Sequence, residues 1–131
     1  MFCLDTNIII DIFRGDKKLK EKFLKFKGKN VKFYVTSISL CELFKGAYKS
    51  KNREQAIELI TDFYNSVKII DFDLASANLF GFFNNVLEKK GTKIPDLDIM
   101  IASLAMANNS ILVTRDIQHF KKIPDFQYEK W

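Results

Sequence analysis

The chain has 131 residues, 47% of them hydrophobic and 28% charged, which fits one folded domain and excludes both a disordered chain and a membrane protein. Lys and Arg number 21 against 16 Asp and Glu, so the net charge is +5 and a polyanionic partner is favoured. One histidine, His119, and two cysteines, Cys3 and Cys41, are too few for a structural zinc site, and no GxSxG, GxGxxG or Walker-type glycine loop is present.

Along the chain, short apolar runs alternate with helical patterns. Residues 2–4 form a first strand, ended by Asp5-Thr6-Asn7, and residues 8–14 a helix. Residues 17–27 make a lysine-rich amphipathic helix that offers Leu19, Phe23, Leu24 and Phe26 for burial. Residues 31–35 are a second strand by their β-branched and aromatic content. Ser39 opens a helix through Leu43, Phe44 and Ala47, and Asn52 opens another through Ile60 and Phe63. Residues 67–70 are a third strand, after which Asp73 caps a long helix that stops at Gly91. Pro95 starts the next helix, over residues 99–108; residues 111–113 form a fourth strand and residues 126–128 a fifth.

Such alternation predicts an α/β fold, a three-layer α/β/α sandwich with a mainly parallel sheet of four to five strands, in a single domain over residues 1–131. Right-handed crossovers set the carboxyl ends of the strands on one rim, where ligands of such sheets bind. The start, MFCLDTN, lacks a leader's basic and long apolar regions, so a reducing cytoplasm is expected, with both cysteines as small buried side chains. Acids accumulate on the rim: Asp5 after the first strand, Glu42 in the first turn of the helix after the second, Asp116 after the fourth, and Asp96 and Asp98 opening the helix before it. Each alone has a bland role, Ser39 to Glu42 as a capping box and the aspartates as N-caps or dipole partners. Together they repel: two carboxylates about 6 Å apart cost roughly 2 to 3 kcal/mol at an effective dielectric near 20. A divalent cation removes that cost, and an all-oxygen donor set with waters suits Mg²⁺ or Mn²⁺.

Three segments, LDTNIIIDIFRG, TSISLCELFKGA and IPDLDIMIASLAMANNSILVTRDIQHFKKI, resemble the PIN domains, and within them the VapC-type toxins of prokaryotic toxin–antitoxin pairs. The resemblance implies a metal-dependent endoribonuclease whose acidic quartet is Asp5, Glu42, Asp98 and Asp116. Asp98 takes precedence over Asp96 because the family's acid stands three residues before the Ile101-Ala102 step; Asp96 becomes an accessory residue near a metal-bound water. Many relatives carry Asn where Asp116 stands. The resemblance also implies a third strand at the sheet edge, which leaves Asp71 and Asp73 outside the site, a homodimer, and a small antitoxin lying across a groove near the acids.

On this reading Asp5, Asp98 and Asp116 hold Mg²⁺ or Mn²⁺, and Glu42 binds a second ion or orients the attacking water. In-line attack then leaves a 5′-phosphate and a 3′-hydroxyl. Thr6, Asn7 and Thr114 support the acids, and Arg14, Lys45, Lys49 and Arg115 contact RNA phosphates. The seven lysines between Lys17 and Lys29 form a solvated face, and Phe13, Phe44, Phe82 and Tyr48 are candidates for an apolar docking surface. Two other readings, a haloacid dehalogenase-like phosphotransferase and a receiver domain, fail on motif position. Asp96-Leu97-Asp98 opens a late helix rather than following an early strand, and LDTN carries one acid where a receiver needs a pair. Two more keep the fold: a catalytically silent PIN-like module that binds RNA or protein, and an RNA-processing nuclease with no antitoxin.

Overall fold

A computed structural model describes all 131 residues. In chain order the elements are β1 (Phe2–Leu4), α1 (Thr6–Phe13), α2 (Lys17–Gly28), β2 (Phe33–Thr36), α3 (Ser37–Lys49), α4 (Arg53–Tyr64) and β3 (Lys68–Ile70). They continue with α5 (Leu74–Lys89), α6 (Asp96–Ala107), β4 (Ile111–Thr114), α7 (Ile117–Phe120) and β5 (Tyr128–Lys130). The five strands run in the order β3-β2-β1-β4-β5, and every pairing is parallel. β3 is therefore an edge, and the order reverses between β1 and β4, where a parallel α/β sheet opens its crevice.

Alternation along the strands supplies two cores, one on each face of the sheet. Leu4, Phe33, Val35 and Val113 point to one face, where Ile8, Ile9, Leu19, Leu43 and Phe63 from α1 to α4 cover them. Cys3, Ile70 and Leu112 point to the other, against α5, α6 and Phe120 of α7. Helix α6 is buried nearly all round, with Ile99, Ile101, Ala102, Leu104 and Ala105 at 0% exposure, so it shows little amphipathicity and behaves as a core helix.

Several expected boundaries move, each for a local reason. Thr36 caps α3, its Oγ1 accepting from the Ser39 amide at 2.9 Å, so the helix starts at Ser37 and the Ser39 to Glu42 capping box does not form. Glu42 consequently lies in the second turn. The fifth strand runs from Tyr128, two residues later than expected, because Phe126 is drawn into the core against Phe120, ring centroids 5.9 Å apart. The short helix α7 was not expected from the sequence; Asp116 caps it, accepting from the Gln118 amide. Cys3 is buried, its thiol pushed up to about 12 by that burial, whereas Cys41 is exposed on α3, which corrects the expectation of two buried cysteines.

After β5, Trp131 donates its backbone N–H to the Thr114 carbonyl at 3.2 Å. Its ring stacks on Phe26, centroids 5.5 Å apart, beneath the Lys22 ammonium 4.4 Å away.

Candidate active site

The site forms at the reversal between β1 and β4. Asp5 ends β1, Thr114 ends β4, and α6, which leads through a tight turn into β4, sets its first turn at the same rim. Asp5 is 5% exposed and tightly held. Its Oδ1 accepts from the Thr6 amide at 2.8 Å, and its Oδ2 accepts from Thr114 Oγ1 at 2.6 Å and Asn7 Nδ2 at 2.9 Å. A carboxylate offers about four lone-pair positions, so these bonds fix its orientation and leave one open.

Burial pushes the Asp5 carboxyl up to about 6; the Thr114 and Thr6 bonds oppose the rise, and the charges of Asp98 and Glu42 add to it. Asp98 and Glu42 therefore act on Asp5 through space, although they come from α6 and α3. Glu42 Oε2 accepts from the Thr6 hydroxyl at 2.6 Å, so Thr6 joins two acids, one through its amide and one through its side chain. Asp98 Oδ2 lies 2.7 Å from Nδ1 of His119, and Asp116 Oδ2 lies 3.8 Å from the same nitrogen.

Thr6 and Thr114 thus link Asp5 by hydrogen bonds to Glu42 and to the Asp116 backbone amide, while Asp98 reaches the other acids only through the His119 ring, which it bonds and which lies 3.8 Å from Asp116. Asp96 has other partners, the Asn84 amide at 3.3 Å and Lys93 at 4.0 Å. No group of three or more His, Cys, Asp or Glu side chains closes on a common point tightly enough to form a ready-made metal cage. Mg²⁺ seldom uses such a cage: it keeps several waters and binds through one or two carboxylates together with substrate phosphates. Carboxylate oxygens beside a desolvated, mutually repelled Asp5, with the one nearby nitrogen, His119 Nδ1, engaged by Asp98, fit that ion.

Among the basic residues, Arg14 lines a cleft between α1, α3 and α4 whose wall includes Glu42, Phe13, Leu59 and Ile60. Lys45 and Lys49 are exposed on α3, three and seven residues beyond Glu42, on the same helix face. Arg115 is not free. Its Nε lies 3.1 Å from Asp11 Oδ2, and its Nη2 binds Asp16, the N-cap of α2, so it braces the rim internally. The aromatic candidates also divide. Phe13 and Phe44 pack against the core beneath α1 to α4, while Phe82, 57% exposed, stands on α5 in the opposite layer. His119 has no apolar periodicity around it; its only sequence signal is its place three residues after Asp116, one helical turn on.

A five-stranded parallel sheet with acids gathered at its reversal point defines a domain of the PIN class, and the model of the PIN domain matches residues 2–125. The chain belongs to that family, among its VapC members. It is 36% identical over 131 residues to a protein called ribonuclease VapC2 from Rickettsia felis, covering 100% of this chain and 98% of the relative. It is 31% identical to one called tRNA(fMet)-specific endonuclease VapC from Shigella flexneri, covering 99% and 97%. Among solved structures, VapBC2 from Rickettsia felis bound to a promoter DNA fragment superposes with a TM-score of 0.92 at 36% identity, covering 99% of this chain and 98% of that one. DNA-bound VapBC from Salmonella typhimurium also reaches 0.92, at 30% identity with 99% and 97% coverage.

Proposed function

We propose that this protein is a Mg²⁺- or Mn²⁺-dependent endoribonuclease and the toxin of a toxin–antitoxin pair. The observation that carries the reading is the setting of buried Asp5 where the sheet reverses: Asp98 of α6 and Glu42 of α3 raise the cost of its charge, and Asp116 stands across the His119 ring from Asp98. Carboxylates gathered in this way destabilise an empty fold and are accounted for by a cation that binds there. The relatives named ribonuclease and endonuclease support the phosphodiester as the target bond.

Asp5, Asp98 and Asp116 would hold the ion, with Glu42 facing the attacking water or a second ion. When bound, the metal supplies positive charge against the scissile phosphate and acidifies a water for attack. The chain's own part is to fix where these groups stand. Thr114 and Asn7 hold Oδ2 of Asp5, and Thr6 ties Glu42 to the first turn of α1. Arg14, Lys45 and Lys49 would contact RNA phosphates on the α1 and α3 side of the acids, without reading bases. The apolar cleft between α1, α3 and α4, with Arg14 and Glu42 in its wall, is where an antitoxin segment would lie. Solved neighbours that are VapBC assemblies support a partner of that kind. No helix is long and apolar enough to cross a membrane.

The test is RNA cleavage by purified protein with Mg²⁺, with Mn²⁺ and with chelator, beside the Asp98→Asn variant. Cleavage by wild type that needs the metal and is lost in the variant is expected. Equal RNA retention with chelator, with no shortening under any condition, would instead make the protein a silent RNA-binding module.

A further inference from the structure

We infer that His119 is a positioning residue for the acidic rim, a role that rests on the metal-site reading above. Its Nδ1 lies 2.7 Å from Asp98 Oδ2 and 3.8 Å from Asp116 Oδ2, so one ring nitrogen faces two members of the quartet. An ionised carboxylate carries no hydrogen. Whatever charge the ring has, Nδ1–H is therefore the donor and Asp98 Oδ2 the acceptor. That bond engages one oxygen of Asp98, and Oδ1 would be the one left to hold a cation.

The helix that presents the ring is firmly placed. Helix α7 is capped by Asp116, and the next residue, Phe120, is 1% exposed and packed against Phe126. Asp116 therefore both caps the helix that carries His119 and stands beside the imidazole that the helix presents. One short helix couples the acid after β4 to the acid at the start of α6, two segments with no strand pairing between them. Partners that orient metal-binding carboxylates in this manner typically change metal affinity about 10- to 100-fold when removed.

The experiment compares wild type with His119→Ala, His119→Asn and His119→Gln, using Mn²⁺ alone as the probe and following free Mn²⁺ by electron paramagnetic resonance, with a thermal melt of each. The His119 side chain is 36% exposed, so these changes leave Phe120 and the core in place. The Asn amide nitrogen falls near the position of Nδ1, whereas the Gln amide nitrogen falls near Nε2. Mn²⁺ binding is expected to weaken about 10-fold or more in the Ala and Gln variants and to stay within about 3-fold of wild type in the Asn variant, at similar melting temperatures. Turnover on RNA should fall in the same order with KM little changed. Wild-type affinity in the Ala variant overturns the inference, as does equal loss in the Asn and Gln variants. Failure of the wild type to bind Mn²⁺ overturns the metal-site reading itself, a different result from either.

Discussion

Asp5 and Asp98 are both acids of the rim, yet their burial sets different experiments. Asp98→Asn should abolish cleavage while shifting the melting temperature by no more than a few degrees, because Asn keeps the size of the side chain and an oxygen for the His119 hydrogen bond; activity assay and calorimetry check this. Asp5 adds a pH signature. Its carboxyl is raised from 3.8 to about 6, so between those values the native state holds a proton that the unfolded chain has released. Stability of the metal-free protein therefore falls as pH rises through that window, by up to about 3 kcal/mol from this group. Asp5→Asn lacks the titration. In chelator its melting temperature should gain on wild type between pH 4 and pH 7, and saturating Mg²⁺ at pH 7 should reverse the gain. Asp16 and Asp73 act in the opposite sense: the Leu19 amide on Asp16 and the Ser76 hydroxyl on Asp73 hold both carboxyls below the usual range, as helix caps do.

Four helices end by the same device. At α1, α2, α5 and α6 the residue beyond the cap has a positive φ: Gly15 at 90°, Asn30 at 59°, Gly91 at 65° and Asn109 at 50°. At α5 the Gly91 amide donates to the Glu88 carbonyl and the Thr92 amide to that of Leu87, the paired bonds of a Schellman turn. The Asn109 and Ser110 amides repeat the pattern at Met106 and Ala105. Gly91→Ala should cost about 1 kcal/mol in urea unfolding, since a Cβ is strained in that conformation, while Asn109→Gly should be close to neutral or slightly stabilising. The ends expected at residues 27 and 108 fall within one residue of the helices that Asn30 and Asn109 stop, so helix ends were legible. Helix starts were less so: α3 begins at Ser37 and α6 at Asp96, two and three residues earlier than expected. Thr36 illustrates the same limit. Its capping role depends on where β2 stops, which the β-branched run from Val31 to Val35 placed too early. The acids of the quartet were legible because strand ends and helix starts share one rim in a parallel sheet. His119 was not, since it rides on a helix of four residues that no periodicity reveals, and neither was the pairing of Arg115 with Asp11 and Asp16, which needs three elements in register.

Over the whole molecule, the net +5 mixes two populations of charge. Setting aside the four rim acids leaves 21 basic groups against 12 acidic ones, or +9, on the remainder. With Arg14, Lys45 and Lys49 as phosphate contacts, single-stranded RNA bound to the Asp98→Asn variant should lose roughly 10- to 20-fold in affinity between 50 and 200 mM salt. Fluorescence anisotropy checks this, and a flat salt response would remove the electrostatic account. The hydrogen bond from Trp131 to the Thr114 carbonyl bears on such measurements, because Thr114 also holds Asp5. Trp131 is the only tryptophan in the chain, and its indole lies under an ammonium group. The protein therefore carries one intrinsic fluorophore whose backbone amide is two hydrogen bonds from Asp5, and following its emission as Mg²⁺ is added tests, without an attached dye, whether events at the rim reach the far side of β5.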